Sequence, residues 1–235
     1  MKYKVILFDL DDTLLRNDVD QFLAAYFRTL TPHISHYFPK DDFYSIFHTA
    51  TRAVLMAKPS SQTLLQVFID AFEKNTTTHF SDIAAALTKY YETDFSKISK
   101  VTRNVPKADI AVETAYRKSE GLVLATTPIF PERAILERLK WSGIDASLFK
   151  LITHIENMHA SKPQPEYYTE IAEVMRVNPE DCLMIGNDHI DDLSAKIVGM
   201  NTFLVSDFEK NRDSAKLSPD HYGSMEELVA FLENI

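Results

Sequence analysis

With a single cysteine, Cys182, the chain has no internal disulfide to hold it together. Cys182 lies in an apolar run, which marks it as a buried, inert thiol rather than a nucleophile. A basic excess is also missing: 25 Lys and Arg face 34 Asp and Glu, a net charge of -9. That balance excludes a nucleic-acid surface, which needs a basic face, and recruitment to anionic lipid. No long hydrophobic run occurs either. The apolar stretch near the N-terminus lasts only from Val5 to Phe8, too short for a signal peptide or a membrane span. The expected location is the cytoplasm.

Glycine is scarce, and its absence divides the chain: none of the 5 glycines precedes Gly121. Over residues 15–105 the apolar residues follow helical spacing almost throughout. Val19, Phe22, Leu23, Tyr26, Phe27 and Leu30 form one stripe. Phe43, Ile46, Phe47, Ala50 and Val54 form a second; Leu64, Leu65, Phe68, Ile69 and Phe72 form a third, with Ser60-Ser61 as its expected N-cap. Ile83, Leu87, Tyr90 and Tyr91 supply a fourth, and Pro32, Pro39 and Pro59 are expected to separate helices. This pattern predicts a small helical bundle whose aromatic stripes are core.

From Gly121 onward, short apolar runs alternate with amphipathic helices. Strands are predicted at Val5–Phe8, 122–125, 151–152, 182–185 and 202–205. Helices are expected from Pro131 to Gly143, from Pro165 to Met175, from about Leu193 to Gly199, and from about Ser224 to Leu232. Strands buried on both faces and separated by helices predict a parallel α/β sheet with right-handed crossovers. The predicted fold is therefore a Rossmann-like three-layer α/β/α core (residues 1–14 and 106–235) with an inserted α-helical cap (residues 15–105).

Polar oddities follow the C-terminal ends of the predicted strands, the edge where open α/β sheets bind ligands. Asp9 and Asp11 follow the first strand, Thr126 and Thr127 the second, Lys162 the third, and Asp188 and Asp192 the fourth. An acidic turn explains a lone Asp-Asp pair; it does not explain Asp-Leu-Asp-Asp-Thr directly after a buried strand. Like charges about 4 Å apart cost on the order of 4 kcal/mol per pair at an effective dielectric of 20, so four ionised aspartates need a cation. An oxygen-only ligand set fits a hard divalent ion such as Mg²⁺, and no Cys/His set at zinc spacing is present. With a phosphate dianion added, negative charge exceeds positive even with both metal and Lys162 present, so both are needed and one aspartic acid, Asp11, would enter as the neutral acid. That balance suits phosphoryl transfer: Asp9 attacks phosphorus, and Asp11 protonates the leaving oxygen and then activates water.

The chain resembles haloacid dehalogenase (HAD) superfamily phosphatases with a helical cap between the first and second motifs. The first motif is Asp9-Leu10-Asp11-Asp12-Thr13 and the second Leu122-Val123-Leu124-Ala125-Thr126. The third is Ser161-Lys162-Pro163-Gln164-Pro165, and the fourth is Met184-Ile185-Gly186-Asn187-Asp188 followed by Asp191-Asp192. The resemblance implies Asp9, Asp11 and Lys162 as catalytic residues. It implies Thr126 as the phosphate-binding hydroxyl, with Thr127 able to share that role, and Lys162 as a further phosphate contact. Mg²⁺ would be held by Asp9, the Asp11 carbonyl, and either Asp188 with Asp192 or Asn187 with Asp191. The first pair is preferred because it keeps two carboxylates.

The expected activity is Mg²⁺-dependent hydrolysis of a small phosphorylated metabolite through an aspartyl-phosphate. A phosphomutase would share these residues, and a phospho-aspartate switch or an inactive scaffold forms the non-enzymatic alternative. Asp11 argues against dehalogenase and phosphonatase chemistry, because the resembling enzymes of those types lack it. The oligomeric state is left open.

Overall fold

The run Val5–Phe8 is β-branched and aromatic, and it forms β1, buried on both faces at the centre of the sheet. A computed structural model of the chain describes residues 2–38 and 42–235. Two short strands follow in chain order, β2 (Leu15–Asn17) and β3 (Thr102–Asn104), which pair with each other antiparallel. The others are β4 (Gly121–Leu124), β5 (Phe149–Ile152), β6 (Cys182–Gly186), β7 (Asn201–Val205) and β8 (His221–Gly223). Six of them form one sheet in the order β5-β4-β1-β6-β7-β8, with every pairing parallel.

Register places the site. Phe8 pairs with Leu124 on one side and Ile185 on the other, so these three strands end level with one another. Asp9, Thr126 and Asn187 therefore leave the sheet at the same edge. Alternate β1 residues serve different cores: Ile6 and Phe8 pack with α5 (Ala108–Lys118), α6 (Glu132–Ser142) and α8 (Met225–Glu233). Val5 and Leu7 belong to the core of α7 (Pro165–Met175), which continues into the helices between β2 and β3. Cys182 is buried in β6, and burial pushes its thiol up to about 12.

The chain between β2 and β3 carries α1 (Val19–Ile34), α2 (Phe43–Leu55), α3 (Leu64–Glu73) and α4 (Phe80–Thr93). Most of the expected stripe residues face inward, with Phe22, Leu30, Ile46, Val54, Leu64, Phe72, Ile83 and Tyr90 all buried, but Val19 and Leu23 of the first stripe are exposed because they lie on the other side of α1. None of the described helices is long and apolar enough to cross a membrane.

Several local expectations are corrected. The α3 N-cap is Thr63, whose hydroxyl accepts from the Gln66 N–H; Ser60 instead turns the chain onto the Gln62 N–H. Pro32 lies inside α1 rather than after it. The helix continues because Ile34 is fully buried and Ser35 still donates to the Thr31 carbonyl, so the ring disrupts only the last turn. Pro39 lies outside the described residues. Leu193–Val198 is 3-10 rather than α-helical, a short segment closed by Gly199 at φ 96°. The sequence pattern marks neither the β2–β3 ribbon, nor α5, nor β8. Three-residue strands carry too little alternation to read, and α5 spreads small alanines over its buried face.

Candidate active site

Asp9 follows β1 and its backbone N–H donates to the Ile185 carbonyl, so the sheet's own ladder fixes its position. Lys162, in the loop between β5 and α7, reaches back across the sheet edge. Its ammonium donates to Asp9 Oδ1 at 2.8 Å and to Asp192 Oδ1 at 2.6 Å, and all three residues are buried. Burial pushes Asp9 up to about 7; Lys162 opposes that shift, while the neighbouring Asp192 and Asp11 charges add to it. For Lys162, burial acts to lower the pKa, but Asp192 and Asp9 outweigh it and hold the ammonium well above the usual lysine range.

Asp192 is folded back against the end of β6, where its second oxygen accepts from the Asp188 N–H at 2.9 Å. Gly186 makes this possible, because a Cβ at that position would overlap the Asp192 carboxylate. Gly186→Ala is therefore expected to destabilise the fold by about 1–3 kcal/mol, as overpacking does, and to lower activity with it. Thermal unfolding checks this; an unchanged midpoint would show that the close approach does not exist in solution.

The remaining expected residues fall at or near one cavity of about 550 Å³, lined by Asp9, Asp11, Asn187, Asp188, Asp191 and Asp192 among others. Asp188 is occupied by its own loop: Oδ1 accepts from the Ile190 and Asp191 N–H groups, and Oδ2 from Asn211. Asn187 accepts from the Thr13 hydroxyl at 3.1 Å and donates to the Phe208 carbonyl. Asp191 is different. Its carboxylate lines the cavity, accepts no hydrogen bond among the described residues, and is pushed up to about 6 by burial, with Asp188 adding to it. As placed, no three Asp, Glu, His or Cys side chains among the described residues form a metal-holding group. The four expected acids share a cavity without forming a closed cage.

Thr127 faces this cavity, whereas Thr126 is buried at the end of β4 with its carbonyl held by Thr153 and Tyr167. His154, His159 and His189 are each held by a glutamate: Glu156, Glu170 and Glu209.

Two site cations escaped the sequence reading. Arg138 of α6 is only 2% exposed, yet its guanidinium donates to Asp11 Oδ1, an oxygen that also accepts from Asn17 at 2.9 Å. It lies 5.1 Å from the Phe22 ring centroid and 5.6 Å from that of Phe130, and its buried Nε has no hydrogen-bond partner among the described residues. A signal was present in the sequence. Ile135, Arg138, Leu139 and Ser142 fall at i, i+3, i+4 and i+7, which puts a charge on the buried stripe. Lys210 pairs with the buried Asp12, which itself sits in left-handed backbone at φ 60°. No local pattern marks Lys210. It reaches the site because its backbone pairs with the loop at Asn187 and His189.

Known proteins share both sequence and fold with this chain. It is 26% identical to the pyrophosphatase PpaX of Anoxybacillus flavithermus over 221 residues, covering 94% of this chain and 92% of the relative. A putative beta-phosphoglucomutase from Thermotoga maritima superposes with a TM-score of 0.60 at 20% identity, covering 99% of each chain. The putative HAD-hydrolase YfnB from Bacillus subtilis, bound to magnesium, superposes with a TM-score of 0.57 at 22% identity over 100% of both chains. The family model for haloacid dehalogenase-like hydrolases matches residues 3–199, from the strand that carries Asp9 through the glycine that ends the Asp192 segment. The chain belongs to the haloacid dehalogenase-like hydrolase family.

Proposed function

We propose that this hydrolase is a cytoplasmic, magnesium-dependent phosphatase that cleaves phosphomonoesters of small metabolites through a phosphorylated Asp9. One observation carries the reading: Lys162 joins Asp9 and Asp192 at the sheet edge, while Asp11 stands two residues from Asp9 on the same cavity. A carboxylate nucleophile needs a fixed orientation and a cation to offset incoming phosphate charge, and Lys162 supplies both.

In this scheme an Asp9 oxygen attacks phosphorus and the ester P–O bond breaks. Asp11 gives its proton to the departing alkoxide. Water then attacks the aspartyl-phosphate, Asp11 takes the proton from that water, and the Asp9–phosphorus bond breaks to release phosphate. Thr127, which lines the cavity, would donate its hydroxyl to a phosphoryl oxygen. Residues 15–105 would act as a cap over the core of residues 1–14 and 106–235, with β2 and β3 as its paired stems.

The donor chemistry fits a hard cation. The oxygens are all carboxylate, amide or carbonyl, and burial pushes both Asp9 and Asp191 upward. Magnesium there would neutralise phosphoryl charge. Asp191 would offer its carboxylate, Asp9 the Oδ2 that meets only the Thr13 hydroxyl at 3.4 Å, and Asn187 the Oδ1 that competes for that same hydroxyl at 3.1 Å, beside the Asp11 carbonyl. This favours the second register of the fourth motif, because Asp192 is committed to Lys162 and Asp188 to its own turn.

The direct test is hydrolysis of a generic aryl phosphate with Mg²⁺, without it, and with EDTA. Colour release with Mg²⁺ and its loss in EDTA are expected; no turnover under any metal condition would remove the phosphatase reading.

Arg138 gives a second expectation. The guanidinium donates to Asp11 Oδ1 and so fixes where that carboxyl points, and Arg138→Met is expected to misplace the proton donor. About a tenfold fall in kcat is expected, less than the ~10²–10⁴-fold that a general acid–base group itself contributes, with KM for an aryl phosphate little changed. Arg138→Lys should recover part of the rate. A loss of folded protein with kcat per folded molecule unchanged would assign Arg138 to packing alone.

A further inference from the structure

The catalytic cavity has two unlike walls. Its floor is the aspartate cluster; its roof is apolar, with Val19, Leu23 and Phe27 from α1, Leu55 from α2, and Ile129 and Phe130 from the loop after β4. Val19, Leu23 and Leu55 are 50%, 41% and 37% exposed. Single exposed apolar side chains are ordinary on any protein. Three on one wall, facing catalytic carboxylates, are a local concentration of water-exposed apolar surface.

The roof belongs to helices that already have a packed face. In α2, Phe43, Ile46, Phe47, Ala50 and Val54 turn inward, while His48, Thr51, Arg52 and Leu55 line the catalytic cavity at i, i+3, i+4 and i+7. The second face therefore contributes nothing to the bundle core. Behind the roof is another cavity of about 420 Å³, which shares Leu23, Phe27, Thr51, Ile129 and Phe130 with the first. Phe47, Phe68, Phe80 and Leu87 continue its walls.

Cations on the roof are few. Arg138 and Lys210 are engaged by Asp11 and Asp12, which leaves Arg52 as the cavity-lining cation with no carboxylate partner among the described residues. Inorganic pyrophosphate, suggested by the name of the Anoxybacillus relative, would press a second anionic group against an apolar wall with Arg52 alone to receive it.

We infer that the substrate is an organic monophosphate whose leaving group has an apolar body, an aryl ring or an alkyl chain, seated against the Leu23–Phe27–Leu55–Phe130 roof. The inference rests on the phosphatase reading for its chemistry and on the two-walled cavity for its selectivity. Binding would remove the exposed leucines from water while the phosphate stays at the acidic floor with its cations.

Two measurements separate the inference from the reading beneath it. The first is calorimetric binding of methyl-, butyl- and hexylphosphonate, which cannot be turned over, to the wild-type protein in Mg²⁺. Affinity is expected to rise about two- to fourfold per methylene, with a negative heat-capacity change. The second compares kcat/KM for phenyl phosphate, hexyl phosphate, glycerol phosphate and pyrophosphate, with the apolar esters preferred at least tenfold, of the order that burying a few methylenes supplies. In Leu23→Asn/Leu55→Asn, whose positions are partly exposed and should not unfold the chain, the ratio of phenyl to glycerol phosphate should drop at least threefold. A flat phosphonate series, or preference for glycerol phosphate or pyrophosphate, overturns the inference while the phosphatase reading stands. A rising series with no ester cleaved supports the apolar subsite and removes the phosphatase reading instead.

Discussion

Asp9→Asn is expected to abolish turnover while leaving the protein folded at least as well as before. The amide matches the carboxylate in shape and can still accept from Lys162, but it cannot attack phosphorus. Loss of a covalent nucleophile costs on the order of 10⁴-fold or more in kcat. The stability expectation comes from the same geometry. Burial together with Asp192 and Asp11 pushes Asp9 up to about 7, so its ionised form is held against unfavourable terms in the folded state. A neutral side chain relieves them, and Lys162 keeps Asp192 as a partner. Removing such a group commonly trades activity for stability. The checks are single-turnover kinetics with an aryl phosphate and a thermal melt on one preparation. A kcat within tenfold of wild type would eliminate Asp9 as nucleophile.

Lys162→Met should damage both function and fold. Here the cation is removed and two buried carboxylates, Asp9 and Asp192, are left facing each other. Breaking a buried pair by deleting one partner costs about 3–5 kcal/mol, because the remaining charge keeps its desolvation penalty. For a chain of this length that corresponds to a fall of roughly 10 °C in melting temperature. The melt belongs in EDTA, so that no divalent ion replaces the lost charge. A second substitution discriminates the cause: Lys162→Met/Asp192→Asn should regain part of the loss, since one of the two unpaired charges is gone. If the double variant is no more stable than the single one, the effect is packing of the lysine stem and not charge. Activity should be lost in both, since neither retains the bridge that orients Asp9.

Comparing Asp192 with Arg138 shows where linear sequence is informative. Asp192 was legible because it sits in a chain of local constraints: an apolar strand, a glycine, then acids at a turn. Arg138 required knowing that α6 lays its Ile135–Leu139 stripe against the sheet beside Asp11, 127 residues away in sequence. Lys210 is a stronger case, since only the pairing of its backbone with the Asn187 loop brings it near the site. The choice between Asp188 and Asp191 as a cation ligand is also unreadable from spacing. It turns on which oxygens are already taken by backbone N–H groups, and that is a property of the folded turn.

Hydrophobic periodicity settled the parallel core and the inserted helices, because burying alternate or every third-to-fourth apolar side chain is a local property of each segment. The strand-end position of Asp9, Lys162 and the fourth-motif acids followed from the same rule. Tertiary structure alone decided which cation meets which carboxylate, which face of α2 roofs the cavity, and where the exposed leucines lie. Those outcomes depend on distances between segments far apart in the chain, and electrostatic pairing and desolvation act through space rather than along sequence.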